Sequence, residues 1–258
     1  MYILNEKEYI GNILASKKKP DDLSMGYLIT LIAKYCYSDR INADELSDMI
    51  KKKLSEFDLE NYQEYQYHNK IIATCQEICT GSTEHTFRER EFIPIYESEL
   101  AFIDSLPNDR QKKLMFTLFT IARYMDCDGW INKKTAKEIS EVFRLSNVTL
   151  TSDKRNELLH ELYRNGHISF GKKINNLNIR VKLTHSGKVG YPVKEFHNIG
   201  YQYIGHFKKG YKQCCLCGKP IKITNNRMKY CSNCYKKANK SDAKNRMKKY
   251  RETPNVTF

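Results

Sequence analysis

Four cysteines in the last fifth of the chain have the residue type and spacing of metal ligands. Cys214 and Cys217 form one Cys-x2-Cys pair, and Cys231 and Cys234 form a second, with 13 residues between the pairs. Each pair can sit on a tight turn that points two sulfurs at one ion, and two such turns complete the four-thiolate shell of a structural zinc site. We therefore predict one structural Zn2+ per chain.

The same four thiolates leave alternatives to zinc. An iron–sulfur cluster also uses four cysteines, but no other feature of the sequence indicates redox chemistry. Free thiols would require two matched pairs to arise by chance. Cys215 lies next to a ligand and is predicted to be a spare. A closed four-cysteine shell has no open position for water or substrate, so the predicted role is structural.

Positive charge is concentrated around this site. Residues 206–258 contain 15 Lys and Arg against two acids, whereas residues 1–205 contain 29 against 28. Zinc bound to four thiolates would leave about +11 on the C-terminal segment. A charge gathered beside a metal site indicates an electrostatic footprint for phosphates.

The elements around the cysteines follow from local patterns. Residues 219–230 are predicted to form a hairpin with a turn near Asn225. Residues 235–251 have no Gly or Pro and are predicted to form a basic helix. Like charges every fourth residue destabilise an isolated helix, and a polyanion would relieve that repulsion. A solvated basic tail is the alternative, and such tails also bind nucleic acid. The nucleic-acid contacts predicted here are Arg227, Lys229, Lys236, Lys237, Lys240, Lys244, Lys248 and Arg251.

The middle of the chain has the element order of a winged helix-turn-helix. Apolar periodicity predicts helices over residues 111–125, 133–144 and 152–165, the second capped by Asn132 and the third ended by Gly166. Alternation over 167–183 predicts a hairpin with its turn near Asn175 and Asn176. The third helix would be the recognition element and the hairpin the wing. The predicted nucleic-acid contacts of this region are Lys154, Arg155, Asn156, Lys172, Lys173 and Arg180. The region is close to neutral, and winged helices also bind proteins, so the fold does not decide its partner.

The N-terminal region is predicted to be helical. Leu28, Leu31 and Ile32 recur at helical spacing, and Asn42 can cap the helix that follows. Residues 81–90 are polar and are predicted to be a linker. The fold class expected is mainly α (α+β). The predicted domains are an N-terminal helical domain (1–90), a winged helix-turn-helix (91–205), and a four-cysteine zinc ribbon or knuckle module with a basic C-terminal helix (206–258).

Cellular location follows from what the sequence lacks. No stretch approaches the ~20 apolar residues that span a bilayer, and the first residues do not have a signal peptide's basic start and apolar run. We therefore expect a cytoplasmic protein with no membrane partner. The nine cysteines of such a chain indicate metal binding more than disulfides.

The common catalytic motifs are missing. The chain has no phosphate-binding loop, dinucleotide fingerprint or H-E-x-x-H pattern. Asp126 and Asp128 could be nuclease carboxylates, but such a pair more often serves a turn that ends a helix. A second metal site could use Cys75 and Cys79 together with flanking histidines, but buried helical cysteines are the commoner outcome. We therefore predict no catalytic residues and no enzymatic activity.

The sequence also resembles a family of poorly characterised proteins from phages and mobile elements of Firmicutes. The resemblance is carried by residues 118–124, 152–170, 172–179, 196–203, 214–219 and 226–231, together with the basic tail, and it covers most of the chain. It implies phage biology in a bacterial host cell and a nucleic-acid role. It brings no established activity.

Three functions follow from these observations. The favoured one is a nucleic-acid-binding accessory of phage replication or transcription, with DNA the expected partner. The alternative is an interaction protein that inhibits a host nucleoprotein machine, such as a polymerase or a defence complex of the CRISPR effector type. The third is a nuclease whose site has no recognised motif.

Overall fold

The computed structural model describes residues 2–59, 62–81, 85–131, 136–171, 178–183, 187–225 and 227–239. Several predicted features lie outside these residues. They are the Asn132 cap, the turn at Asn175 and Asn176, and the basic residues Lys172, Lys173, Lys240, Lys244, Lys248 and Arg251. The described chain is mainly helical with short strands, which confirms the predicted fold class. It divides into two compact units, Met1–Phe92 and Ile93–Phe258.

The described part of the first unit contains four helices around one apolar core. The helices are α1 (Glu6–Ser16), α2 (Met25–Cys36), α3 (Ala43–Ser55) and α4 (Glu64–Cys79). Leu28, Leu31 and Ile32 are fully buried, as their spacing predicts. Asn42 caps α3 through a reciprocal capping box with Glu45, which confirms the predicted start of that helix.

A buried carboxylate ties the end of the first unit to its beginning. Glu6 is 3% exposed and accepts hydrogen bonds from Tyr27 Oη at 2.8 Å, Lys34 Nζ at 2.9 Å and the Arg88 backbone N–H at 3.0 Å. Burial alone would raise the pKa of Glu6, but these donors outweigh burial and hold the pKa below its ordinary value. The backbone N–H of Arg90 also donates to the Leu4 carbonyl. The last residues of the segment interpreted as a linker, 88–90, are therefore hydrogen-bonded to the chain's first residues.

The second unit is built around one long buried helix. Its helices are α5 (Glu97–Ser105), α6 (Asp109–Met125), α7 (Ala136–Leu145), α8 (Ser152–Arg164), α9 (Ile199–Phe207) and α10 (residues 232–239). Every residue of α6 from Leu114 to Ala122 is buried. Over this stretch the helix is therefore covered by its neighbours on all sides and has no solvent-facing side.

Among its described residues the second unit also contains three two-stranded antiparallel sheets. The strands are β1 (Ile93–Tyr96), β2 (Ile168–Phe170), β3 (Ile179–Val181), β4 (Val189–Val193), β5 (Tyr211–Gln213) and β6 (Pro220–Lys222). The pairs are β1 with β4, β2 with β3, and β5 with β6. Pairing of β2 with β3 confirms the predicted hairpin after α8. The sequence patterns did not identify β1, β4 or α9.

The turn after α6 adds a third stretch of backbone to the β2–β3 hairpin. Trp130 forms a bridge with Arg180 of β3, and the flanking backbone bonds run from Ile131 N–H to Ile179 O and from Val181 N–H to Gly129 O. Residues 129–131 therefore lie along the edge of β3 that does not pair with β2. Asp126 ends α6 in the left-handed conformation at φ 55°, so the predicted helix break there is confirmed.

Candidate metal centre

The two cysteine pairs converge on one point. The ligand atoms of Cys214, Cys217, Cys231 and Cys234 all lie within 4.8 Å of one another, so together they could hold a metal ion. The sulfurs of Cys217 and Cys231 are 3.8 Å apart. Cys215 is exposed and is not part of the cluster, in agreement with its predicted role as a spare.

The first cysteine pair lies at the tip of the β5–β6 hairpin. The N–H of Gly218 donates to the Cys214 carbonyl at 2.9 Å, and the N–H of Cys214 donates to the Lys219 carbonyl at 2.9 Å. Gly218 has φ +65°, a conformation that favours glycine and lets the chain turn back directly after Cys217. The predicted hairpin within residues 219–230 was wrong, because β6 pairs with the strand before the first cysteine pair.

The second cysteine pair lies at the start of α10. Cys231 precedes the helix and Cys234 lies in its first turn, where the N–H of Tyr235 donates to the Cys231 carbonyl at 2.8 Å. The helix therefore begins before the second pair ends, three residues earlier than predicted. The N–H of Cys215 donates to the Lys229 carbonyl at 3.0 Å, which joins the two halves of the module.

Backbone donors surround the sulfurs and shift their acidity. Burial raises the pKa of Cys214, but N–H donors from Cys231, Leu216 and Cys217 outweigh it and lower the pKa to about 6. Hydrogen bonds with Cys217 and Cys231 raise the pKa of Cys234 to about 12. The four sulfurs are thus close enough to share protons, and a bound cation would replace those protons.

Helix α9 connects the cysteine module to the helical part of the second unit. Asn198, directly before α9, donates from Nδ2 to the Cys217 carbonyl at 3.1 Å and accepts at Oδ1 from Asn147 Nδ2 at 2.8 Å. Asn147 lies in the turn between α7 and α8. Sequence reasoning did not assign Asn198 a role; its signal was its place within residues 196–203, which carry part of the family resemblance.

Most of the described basic residues of the module are exposed, whereas Lys212 is half-buried and Lys208 is paired with Asp109. Residues 206–239 contain nine Lys and Arg and no Asp or Glu. Of the predicted nucleic-acid contacts, those that are exposed in this module are Arg227, Lys229, Lys236 and Lys237. Their role stays a prediction, but their side chains are accessible to a polyanion.

The predicted contacts of α8 and β3 have more varied surroundings. Lys154 and Asn156 are exposed. Arg155 is half-buried: its Nη1 donates to Ser140 Oγ at 2.8 Å, and its guanidinium lies 5.4 Å from the Phe143 ring centroid. Arg180 is paired with Asp128, so part of its charge is neutralised within the unit.

Part of the chain is similar in sequence to a phage protein. Over 54 residues the chain is 43% identical to a protein of Bacillus phage SPbeta named as a DNA-directed RNA polymerase. The match covers 21% of this chain and 6% of the phage protein's length. No family profile and no solved structure match the chain. Within the described residues, no helix is long and apolar enough to cross a membrane. The partial similarity indicates a phage-related origin.

Proposed function

We propose that this protein is a nucleic-acid-binding accessory of phage replication or transcription. One observation carries the proposal: the nine Lys and Arg of residues 206–239, with no acid among them, are attached to a compact four-cysteine module. A rigid basic module can neutralise several phosphates at once and release their counterions. The partial similarity to a phage protein named as an RNA polymerase is compatible with this setting.

The metal of the module is zinc in this proposal. Four sulfurs held at about 2.3 Å from a tetrahedral Zn2+ lie about 3.8 Å apart, and the Cys217 and Cys231 sulfurs are separated by 3.8 Å. Backbone N–H groups donate to the sulfurs, for example Cys231 N–H to Cys214 Sγ at 3.3 Å. Such donors stabilise thiolates in the way second-shell groups of metal sites do. The four cysteines would use every position of the ion, so its role is structural.

The helical part of the second unit is a winged helix-turn-helix in this proposal. Helices α6, α7 and α8 precede the β2–β3 hairpin, and Trp130 bridges to β3. In that fold the third helix enters the major groove with its N-terminal residues. Lys154 and Asn156 have the position and exposure for base contacts. Arg155 would support the helix through Ser140 and Phe143.

A second candidate function comes from the charge of α8. Asp153, Glu157 and Glu161 recur every fourth residue along this helix and so share one face. Acids on a recognition helix oppose an approach to phosphates but suit a basic protein surface. The winged helix would then bind a host polymerase or defence complex, and the basic module would compete for that complex's nucleic-acid channel.

Catalysis is not part of either candidate. The carboxylates considered for a nuclease have structural roles, since Asp126 ends α6 and Asp128 pairs with Arg180. The polymerase named in the comparison is a far longer protein, of which the match covers 6%.

Salt dependence of DNA binding tests the favoured function. Six to ten phosphate contacts predict an affinity loss of about a thousandfold or more for a 20-base-pair duplex between 50 and 200 mM salt. Replacing Arg227, Lys229, Lys236 and Lys237 with Gln should reduce the slope of log K against log salt by up to about 3.6. A matched control replaces four exposed cations of the first unit, Lys18, Arg40, Lys52 and Lys70, with Gln. Equal slopes for the two variants would contradict the proposal.

Pull-down from host lysate separates the two candidates. A host complex that is retained after nuclease treatment, and lost when Asp153 and Glu157 are changed to Asn and Gln, would favour the interaction protein. Retention that disappears with nuclease treatment would favour the nucleic-acid accessory.

A further inference from the structure

The cysteine module exposes three large apolar side chains. Leu216 is 59% exposed, Ile223 38% and Tyr235 57%. The module does have a small core, formed by the buried residues Cys214, Ile221 and Cys234. An exposed aromatic ring and an exposed leucine on so small a fold leave apolar area in water that a ligand can cover.

Two of these residues, Leu216 and Tyr235, are sequence neighbours of clustered cysteines. Leu216 precedes Cys217 in the first turn, and Tyr235 follows Cys234 in α10. The sulfurs of Cys217 and Cys234 lie within 4.8 Å of each other, so the residues beside them belong to adjoining turns. Hydrogen bonds from Cys215 N–H to Lys229 O and from Tyr235 N–H to Cys231 O hold these turns in place.

The charge beside the apolar residues indicates what covers them. Lys219 follows the first turn, and Lys236 and Lys237 follow Tyr235; all three are exposed. No Asp or Glu occurs in residues 206–239 to balance them. A ligand that suits this surface must carry negative charge together with flat apolar faces.

Unpaired bases on a phosphate backbone have this chemistry. In a duplex the faces of the bases are stacked inside, and only phosphates and groove edges are accessible. In a single strand each base offers a face that stacks on an aromatic side chain, while Lys and Arg track the phosphates. Tyr235 supplies the ring and Leu216 an apolar contact.

We propose that the cysteine module binds single-stranded nucleic acid, with a base stacked on Tyr235. This inference rests on the proposed function and narrows its ligand from nucleic acid in general to unpaired strands. It adds Leu216 and Tyr235 to a surface that the charge pattern had described only through Lys and Arg.

The test uses the full-length protein and a fluorescently labelled 20-nucleotide dT strand, with anisotropy as the readout. Tyr235→Ala should weaken binding about fivefold or more, whereas Tyr235→Phe should keep the parental affinity. Tyr65→Ala is the matched control, because Tyr65 is 75% exposed on the first unit. Metal content, measured on every variant, verifies that the module is intact.

A strand of abasic residues with the same length and charge isolates the role of the bases. The parent should bind the dT strand more tightly than the abasic strand, and Tyr235→Ala should lose most of that difference. A 20-nucleotide rU strand repeats the comparison for RNA. The strand that loses more affinity in Tyr235→Ala shows whether the preferred ligand is single-stranded DNA or RNA.

The outcomes separate this inference from the proposed function. If the parent binds dT and abasic strands equally and Tyr235→Ala changes neither, stacking is excluded while phosphate binding stands. If neither strand nor the duplex of the salt experiment binds, both the inference and the proposed function are overturned.

Discussion

The side chains of Asn147 and Asn198 are hydrogen-bonded to each other, from Asn147 Nδ2 to Asn198 Oδ1, at 2.8 Å. Both residues have left-handed backbone, at φ 54° and 51°. Asn147 Oδ1 also accepts from the Tyr201 N–H at 3.1 Å, and Asn198 Nδ2 donates to the Cys217 carbonyl at 3.1 Å. The turn between α7 and α8, the start of α9 and the first cysteine turn are thereby joined by two amide side chains.

Removing this connection should destabilise the second unit. In Asn198→Gly the backbone keeps its left-handed conformation, but the bonds to Asn147 and Cys217 are lost, and we expect a loss of about 1–3 kcal/mol. Denaturant unfolding of the second unit measures the change. Amide hydrogen exchange at Gly218 should accelerate in the variant, and unchanged exchange there would show that Asn198 does not stabilise the cysteine turn.

Gly200 should not tolerate a side chain. A Cβ there would lie 1.8 Å from the Ser146 carbonyl oxygen and 2.5 Å from its carbon, both of which are backbone atoms. Gly200→Ala must therefore push α9 away from the turn after α7, at a cost of about 1–3 kcal/mol or more. Gly11→Ala is the control, because a Cβ on Gly11 meets nothing within 4 Å in α1. The control should be neutral or stabilise by up to about 1 kcal/mol. Equal melting temperatures for the two variants would contradict the close approach.

Metal content should distinguish a predicted zinc ligand from the cysteine that lies outside the cluster. Purified protein should contain about one zinc per chain, and Cys231→Ser should abolish that content, whereas Cys215→Ser should retain it because Cys215 lies outside the cluster. Binding energy at a structural site is folding energy, so chelation should unfold residues 213–235 and leave α1–α4 folded. Mass spectrometry of the intact protein and hydrogen exchange measure the two effects. A metal-free chain with a protected module would contradict the assignment.

The stability of the first unit should depend on ionised Glu6. Glu6→Gln leaves Lys34 with little exposure and no charged partner, and we expect a loss of about 3 kcal/mol at neutral pH. The folded pKa of Glu6 lies below its ordinary value of 4.5, so this stabilisation is present above that value and is lost as pH falls through the folded pKa. The gap between parent and variant should therefore close in acid.

Glu8→Gln is the control for Glu6. It makes the same chemical change two residues further along α1, on an exposed side chain, and the loss should stay below about 1 kcal/mol. A parent–variant gap for Glu6→Gln that is independent of pH between 6 and 2 would contradict the role of its charge.

The sequence by itself determined the features that depend on interactions between residues a few positions apart. The capping of α3 by Asn42 and Glu45 needs residues three positions apart, and the end of α8 at Gly166 needs one left-handed residue. The four clustered cysteines were recognisable from the sequence because each pair has its own Cys-x2-Cys spacing. These features follow from hydrogen bonds and turns within a few residues, which the order of residue types fixes directly.

Tertiary structure decided the features that depend on distant partners. Strand β1 pairs with β4, with Ile93 opposite Val193, and neither strand is long enough to show a pattern alone. The partner of β6 is β5, which lies on the other side of the first cysteine pair in the sequence. The sequence identified Arg155 as a basic residue of α8, but its hydrogen bond to Ser140 depends on how α7 packs against α8. Asn198 gains its role only when the α7–α8 turn and Cys217 meet beside it, since hydrogen bonds across 51 and 19 residues leave no periodic trace in the chain.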